Sequence, residues 1–406
     1  MLMSLSLILL CGLACGALCR RVRLPALVGM LAAGILLGPH ALNLLDENAL
    51  RISADVRKMA LVVILLRAGL SLKLSDLKKV GRPAVLMAFV PATFEIAAFT
   101  LLAPPLLGLT RVEAAVMGAV MGAVSPAVVV PRMVRLMDER LGTDKGVPQL
   151  IMAGASCDDV YVIVLFTAFM GMAQGGGVRA ADFAGIPIAI VLGVLVGMAA
   201  GWGLSRFFAT LEGHGARVRG TQKAVVLLAL AFLLTAAEDA LETVVPFSGL
   251  LAVMAMGCVY ARQSAPACVA ALSAKYEKLW LVAGIFLFVL VGAEVDVRYA
   301  LEAGPAALAL IALALCVRSV GVLCCLARTP FNARERLFCV LSYLPKATVQ
   351  AAIGGLPLAL GLSCGNIVLA VAVLGILITA PLGALAMDAT ATRLLAPAAK
   401  GKTEDR

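Results

Sequence analysis

Two neighbouring carboxylates, Asp158 and Asp159, lie inside a stretch (residues 154–166) that is otherwise lipid-compatible. Translocon-based scales put the cost of one aspartate at the centre of a spanning helix at roughly 2.5 to 3.5 kcal/mol, so a pair without a function would be unexpected. These residue types favour the binding and release of a cation or a proton. Carboxylate and hydroxyl oxygens are hard ligands suited to Na⁺ or Li⁺. We therefore expect Ser125 and Ser156 to complete the ligand set of the two aspartates.

The rest of the chain consists of long apolar segments. Of its 406 residues, 62% are hydrophobic and 14% charged, whereas soluble domains are roughly 45 to 50% apolar. About thirteen segments have the roughly 17 to 25 apolar residues needed to cross a membrane, and lipid admits them only as helices. The sequence predicts an all-α polytopic membrane protein. The predicted spans 1 to 13 are residues 2–18, 24–45, 55–72, 83–109, 111–137, 148–174, 185–208, 222–240, 246–262, 276–297, 303–327, 333–362 and 366–388.

The positive charge of the chain indicates its orientation in the membrane. A net charge of +10 could suggest nucleic acid, but most lysines and arginines lie at the ends of the odd-numbered spans or in the loops after them. Such an asymmetry places the basic loops on the cytoplasmic side. We predict an integral protein of the cell (inner) membrane in contact with the lipid bilayer, with its N-terminus outside and its C-terminus in the cytoplasm. We expect no cofactor and no nucleic-acid partner.

The sequence contains an internal repeat. Gly69 and Gly81 are matched by Gly292 and Gly304, in both cases at an offset of 223 in the numbering. The two copies are seven spans apart, and because seven is odd, the second copy must be inserted upside down. Inverted repeats are typical of secondary transporters, whose binding site lies near the bilayer midplane.

The same offset relates two lone charges. Adding 223 to the number of Glu95 gives Arg318. We predict that this acid and this base face each other across the pseudo-two-fold axis and form an ion pair, so that a charge swap is tolerated better than either single neutralisation. The alternative is that Glu95 is solvated near a helix end. Asp158 would then be the next candidate partner, because a buried, unpaired arginine is costly.

Prolines interrupt two spans at corresponding places in the two copies. Span 5 contains Pro126 and Pro131, and span 12 contains Pro345 followed by Lys346. Proline removes a backbone donor and clashes with the preceding turn, so both helices should break. Paired broken helices indicate the binding site of a transporter. Lys346 would offset the partial negative charge where half-helix C-termini converge.

Four features of the sequence together resemble the cation:proton antiporter superfamily, and most of all its NHA branch of sodium/proton antiporters. They are the Asp158-Asp159 pair, the two breaks (residues 125–131 and 345–350) and the Leu24-Pro25 to Gly38-Pro39 helix (residues 24–39). The resemblance covers nearly the whole chain. It implies an inverted-repeat fold with two crossing broken helices, and exchange of a monovalent cation for protons.

The resemblance also implies a homodimer that works by elevator-like alternating access. Asp159 is then the principal ligand of the ion and the proton, Asp158 lies near Arg318, and Ser125 and Lys346 lie at the helix crossing. The implied division of the chain is a scaffold and dimerisation part (1–72 and 222–297), a mobile core (83–174 and 303–388), a linker helix (185–208) and a cytoplasmic tail (389–406).

The chain departs from electrogenic bacterial members of this superfamily, which place a lysine where Arg318 stands and an acid beside the first break. Because arginine does not release its proton in proteins, the departure favours electroneutral exchange. Two further transporters stay open, a K⁺/H⁺ antiporter and a sodium-coupled solute symporter of the same architecture. An intramembrane aspartyl protease would need its two aspartates on different helices, so we expect no enzyme.

Overall fold

The computed structural model describes residues 1–22, 24–71, 81–174, 180–215, 218–241, 247–296 and 304–397. These residues are mostly helical, and within them the only β-structure is an isolated bridge between Leu141 and Pro397. The helices, numbered in chain order, are α1 (Leu2–Arg21), α2 (Ala26–Leu37), α3 (Glu47–Arg51), α4 (Ser53–Ser71), α5 (Arg82–Met87), α6 (Val90–Leu107), α7 (Arg111–Gly122), α8 (Pro126–Asp138), α9 (Val147–Ala173), α10 (Ala180–Gly213), α11 (Gly220–Leu241), α12 (Gly249–Gln263), α13 (Pro266–Ala293), α14 (Gly304–Cys325), α15 (Ala333–Ser342), α16 (Thr348–Ile353), α17 (Leu356–Ala359) and α18 (Gly365–Leu394).

The architecture confirms the predicted all-α membrane fold. In the described part of the chain, eight helical stretches are long and apolar enough to cross a membrane. The count of thirteen spans is not confirmed, because several predicted spans are shorter or interrupted. The predicted span 24–45, for example, is helical only to Leu37, after which Gly38 and Pro39 turn the chain. Proline cannot continue the helical hydrogen-bond pattern there.

Two interruptions are those predicted from the prolines. Residues 123–125 separate α7 from α8, and residues 343–347 separate α15 from α16. Pro126 starts α8, a position where its missing N–H costs nothing. The backbone N–H of Ser125 donates to the carbonyl of Pro345 at 2.8 Å, so the two breaks meet. A third interruption, between α5 and α6, was not predicted.

The inverted repeat is visible in the packing of helices. Gly34 on α2 lies directly against the backbone of Val289 on α13. Gly257 on α12 lies against the backbone of Leu66 on α4 in the same way. The numbers of Gly34 and Gly257 differ by 223, and so do those of Leu66 and Val289. The two contacts are therefore equivalent, and exchanging the two copies of the repeat converts one into the other.

A second pair of contacts obeys the same rule. Gly69 on α4 lies against the carbonyl of Met254, and Gly292 on α13 lies against the carbonyl of Leu31. The offset in the numbering is again 223 for both partners. A side chain at either glycine would displace a backbone carbonyl, so these glycines allow the helices to approach closely. The pseudo-two-fold relation predicted from sequence is thus present in the backbone packing.

Contacts within the chain divide it into two compact units. Unit 1 comprises residues 1–14, 30–73 and 164–294, and it contains the four repeated glycine contacts. Unit 2 comprises residues 15–29, 74–163 and 295–406, and it contains both broken helices. All the site residues predicted from the sequence belong to unit 2.

Candidate functional site

The candidate site is centred on Arg318, which projects from α14 and is completely buried. Its Nη1 donates to Oε2 of Glu95 at 2.6 Å, and its Nη2 donates to Oδ2 of Asp158 at 3.1 Å. The pair predicted from the repeat is therefore formed, and the alternative partner is bound as well. Because removing a charge from water is costly, two carboxylates around one guanidinium are what makes its burial tolerable.

The same guanidinium binds the ends of both interrupted helices. Its Nε donates to the carbonyl of Tyr343, just after α15, at 2.8 Å, and its Nη1 also donates to the carbonyl of Gly122, the last residue of α7. Carbonyls at a helix C-terminus lack intrahelical donors and carry partial negative charge. Arg318 thus supplies positive charge to both half-helix ends, a role that the sequence had suggested for Lys346.

Lys346 instead makes an ion pair that the sequence did not predict. Its Nζ lies 2.5 Å from Oε2 of Glu95, the same oxygen that Arg318 binds. Both groups are fully buried. Glu95 is thus shared between two cations, one from α14 and one from the second break.

Asp158 and Asp159 are adjacent on α9 and differ in their surroundings. Oδ2 of Asp158 accepts the backbone N–H of Val124 at 2.7 Å in addition to the bond from Arg318. Asp159 is 8% exposed, and no ion pair involves it among the described residues. Successive helical residues point about 100° apart, which explains why only the first reaches the guanidinium.

Several buried oxygen atoms at this site accept no hydrogen bond from the described residues. They include Oδ1 of Asp158, Oδ1 of Asp159 and Oγ of Ser125, and Oε1 of Glu95 is a further one in the same cluster. Because buried polar atoms normally have a hydrogen-bond partner, these oxygen atoms are candidate ligands of a bound ion. Oxygen atoms of this kind suit a hard monovalent cation. The side chain of Ser156, the remaining predicted ligand, lies outside the described residues, although its backbone belongs to α9.

Gln350 is a site residue that the sequence analysis did not single out. Its Oε1 accepts the N–H of Ala347 at 2.8 Å, and its Nε2 donates to the carbonyl of Ala123 at 2.9 Å. One fully buried amide therefore connects the two breaks. The available signal was a polar residue shortly after a proline break, on a segment that is otherwise apolar.

Gly154 on α9 makes room for Tyr343, whose ring lies against Arg318 with 5.6 Å between the guanidinium carbon and the ring centroid. A Cβ at this glycine would meet the Tyr343 hydroxyl and Cβ of Met87. We expect Gly154→Ala to lower the free energy of unfolding by about 1 to 3 kcal/mol, because a rigid buried ring must move. Thermal unfolding in detergent measures this effect.

The matched control is Gly171→Ala on the same helix, where a new Cβ meets nothing within 4 Å. Replacing this helical glycine should leave stability unchanged or raise it by up to about 1 kcal/mol. Equal unfolding temperatures for the two variants would contradict the assigned role of Gly154.

The chain is similar in sequence to known proteins of one family. A family model described as "Sodium/hydrogen exchanger, transmembrane" matches residues 5–390. Sodium/hydrogen exchanger 9B2 of Homo sapiens is 32% identical over 388 residues, covering 92% of this chain and 70% of that protein. The protein of the same name from Mus musculus is 33% identical over 401 residues, covering 94% and 70%.

A solved structure has the same fold. The sodium proton antiporter MjNhaP1 from Methanocaldococcus jannaschii at pH 8 matches with a TM-score of 0.83 and 21% identity, covering 96% of this chain and 97% of that one. The resemblance drawn from the motifs is therefore confirmed, and the chain belongs to the transmembrane sodium/hydrogen exchanger family.

Proposed function

We propose that this protein exchanges Na⁺ or Li⁺ for protons across a membrane, one cation for one proton. The observation that carries the proposal is the charge balance of the buried cluster. Three carboxylates (Glu95, Asp158 and Asp159) are buried with two bases (Arg318 and Lys346). With all five ionised, one negative charge remains, and a single monovalent cation or a single proton cancels it. A buried site in a membrane is stable only when its charge is balanced in this way.

Asp159 is the group that alternates between the cation and the proton. The charge of Asp158 is already matched by Arg318 at 3.1 Å, and that of Glu95 by Arg318 and Lys346. The remaining oxygen of Asp158 and the hydroxyl of Ser125 act as further ligands of the cation, with Ser156 as the fourth candidate.

The cycle is electroneutral because neither base delivers a second proton. Arginine stays protonated in proteins, and Lys346 is held by Glu95 at 2.5 Å. The site then crosses the membrane with the same net charge in both directions, because it carries one Na⁺ in one direction and one H⁺ in the other.

The transport step is an elevator-like movement of the core (residues 83–174 and 303–388), and the protein dimerises through the scaffold (residues 1–72 and 222–297). All candidate ligands and most of the core belong to unit 2, and most of the scaffold belongs to unit 1, which supports this division; residues 15–29 and 164–174 group the other way. The orientation, with the N-terminus outside and the C-terminus in the cytoplasm of a cell membrane, is supported by the distribution of lysine and arginine.

If exchange is electroneutral, its equilibrium is independent of the membrane potential. In proteoliposomes with an imposed Na⁺ gradient, the reversal point is the pH gradient at which no net proton movement occurs. We expect this point to stay the same when the membrane potential is stepped by about 100 mV. For an exchanger that moves one net charge per cycle, the same step would change the free energy of transport by about 2.3 kcal/mol. A pH-sensitive dye inside the vesicles reads the reversal point, with protein-free vesicles as the blank.

Two results would overturn the proposal. A reversal point that follows the potential contradicts the one-to-one stoichiometry. Na⁺ uptake that requires an organic solute and leaves the internal pH unchanged contradicts exchange itself and indicates symport.

A further inference from the structure

The first break is held open by a hydrogen bond to its backbone. The N–H of Val124, one residue before the N-cap of α8, donates to Oδ2 of Asp158 at 2.7 Å. Without this acceptor, the buried N–H of an unwound segment would lack a partner. Asp158 is therefore both a member of the charge cluster and the acceptor that fixes the first break.

The second break is held in the same way by a residue with no charge. The N–H of Lys346 donates to Oγ1 of Thr379 on α18 at 2.8 Å. Lys346 follows Val124 at an offset of 222 in the numbering, and Thr379 follows Asp158 at an offset of 221. These offsets agree with the repeat to within two positions, so Thr379 occupies in the second copy the place that Asp158 occupies in the first.

We propose that Thr379 is a positioning residue for cation exchange, the uncharged counterpart of Asp158 that holds the second break. This inference rests on the function proposed above. Thr379 is almost completely buried, and its hydroxyl also donates to the carbonyl of Gly375 at 2.7 Å. The hydroxyl therefore points at the break with both its donor and its acceptor in use.

The neighbourhood of Thr379 is shaped for close contact with the break. Gly383, four residues further along α18, lies directly against the ring of Pro345. Gly375, four residues before Thr379, lies against the end of Met121 on α7. Residues four apart share a helix face, so one face of α18 receives both broken helices, and Thr379 is at its centre.

Thr379 influences the site through Pro345 and Lys346, the two residues whose shared peptide group it binds. Fixing the N–H of Lys346 also fixes the preceding carbonyl of Pro345, which accepts the N–H of Ser125 at 2.8 Å. It also sets the origin of the Lys346 side chain, whose Nζ binds Glu95. A shift of the break would therefore move a candidate cation ligand and an ion pair together.

The difference between the two hydrogen bonds has a consequence for the cycle. Asp158 carries a charge that depends on its ion pair with Arg318 and lies beside the group that alternates between Na⁺ and H⁺, whereas a threonine hydroxyl is uncharged at every pH in the physiological range. The second break is thus held in the same way whether the site carries Na⁺ or H⁺.

The test is a set of three substitutions on α18. Thr379→Val removes the acceptor and keeps the shape, and Thr379→Ser keeps the hydroxyl. Thr390→Val is the matched control, because Thr390 donates to Ala386 at 2.7 Å as Thr379 does to Gly375. Exchange is measured in proteoliposomes as a function of the Na⁺ concentration. Hydrogen–deuterium exchange of the peptide covering the second break is measured on the same proteins in detergent.

We expect Thr379→Val to raise the half-saturating Na⁺ concentration roughly ten-fold, with a maximal rate within about two-fold of the unmodified protein. The amide of Lys346 should exchange its hydrogen faster in this variant. Thr379→Ser should restore both values, and Thr390→Val should change neither. If Thr379→Val does not fold, Thr379→Ala takes its place with the same expectations.

Three results would overturn the inference. They are an unchanged half-saturation and unchanged hydrogen exchange in Thr379→Val, equal effects of Thr390→Val, and a failure of Thr379→Ser to restore the unmodified values. The last would mean that the hydroxyl alone does not hold the second break. The hydrogen-exchange readout requires no transport, so it separates failure of this inference from failure of the proposed exchange.

Discussion

Asp159→Asn is expected to reduce Na⁺-driven proton movement in proteoliposomes to the level of protein-free vesicles, while the protein still folds. Asparagine has nearly the same shape but can neither carry a negative charge nor take up and release a proton. The buried cluster would then be balanced permanently by its remaining two acids and two bases. Neither a cation nor a proton would be needed to neutralise it, so the site would have nothing to exchange.

The control for this variant is Asp138→Asn, an exposed carboxylate at the end of α8. It should transport as the unmodified protein does, and both variants should elute as single species in size-exclusion chromatography. Saturable Na⁺-dependent proton movement in Asp159→Asn, above the vesicle blank, would show that another group carries the ion.

Arg318→Gln is expected to lower the free energy of unfolding by about 3 to 5 kcal/mol, the usual cost of removing one partner of a buried ion pair. The change leaves two buried carboxylates and two helix-end carbonyls without their shared donor. Thermal unfolding in detergent measures the loss. Arg135→Gln is the control, since this half-exposed arginine shares Asp388 with Arg132 and should cost less than about 1 kcal/mol.

The structure also reverses one expectation drawn from the sequence. A pair isolated from other charges would tolerate an exchange of Glu95 and Arg318. The swapped chain would instead place an arginine beside Lys346, and a glutamate beside Asp158 and two carbonyl oxygens. We therefore expect the double swap to be less stable than Glu95→Gln alone. Recovery of the unmodified unfolding temperature by the swap would show that the other contacts of this pair contribute little.

The sequence alone predicted those parts of the site that follow from the internal repeat or from local effects of single residues. Glu95 and Arg318 could be paired because an inverted repeat places matching positions on one axis, and the offset is read directly from residue numbers. The two breaks could be located because proline acts locally on the helix. The all-α fold followed from apolar length alone.

Contacts made by the unwound segments could not be predicted in this way. Lys346 binding to Glu95, and the hydrogen bonds of Gln350 and Thr379, depend on the direction of each backbone N–H and carbonyl in residues that follow no regular period. The break between α5 and α6 was missed for another reason. Its nearby proline, Pro91, lies in the first turn of α6, within a predominantly apolar segment (residues 83–109). Hydropathy there indicates one uninterrupted helix.

The repeat has a consequence for how such a charge pair can arise. Two identical half-chains about a true two-fold axis would present the same residue to each other at the position of Glu95 and Arg318, as in any isologous dimer. Two glutamates or two arginines would repel, so opposite charges at this place require that the two copies differ in sequence, as two repeats within one chain can. The repeated glycines show the opposite behaviour, because Gly34 and Gly257 are the same residue where backbones touch. The two copies are thus symmetric in their packing and asymmetric in their buried electrostatics.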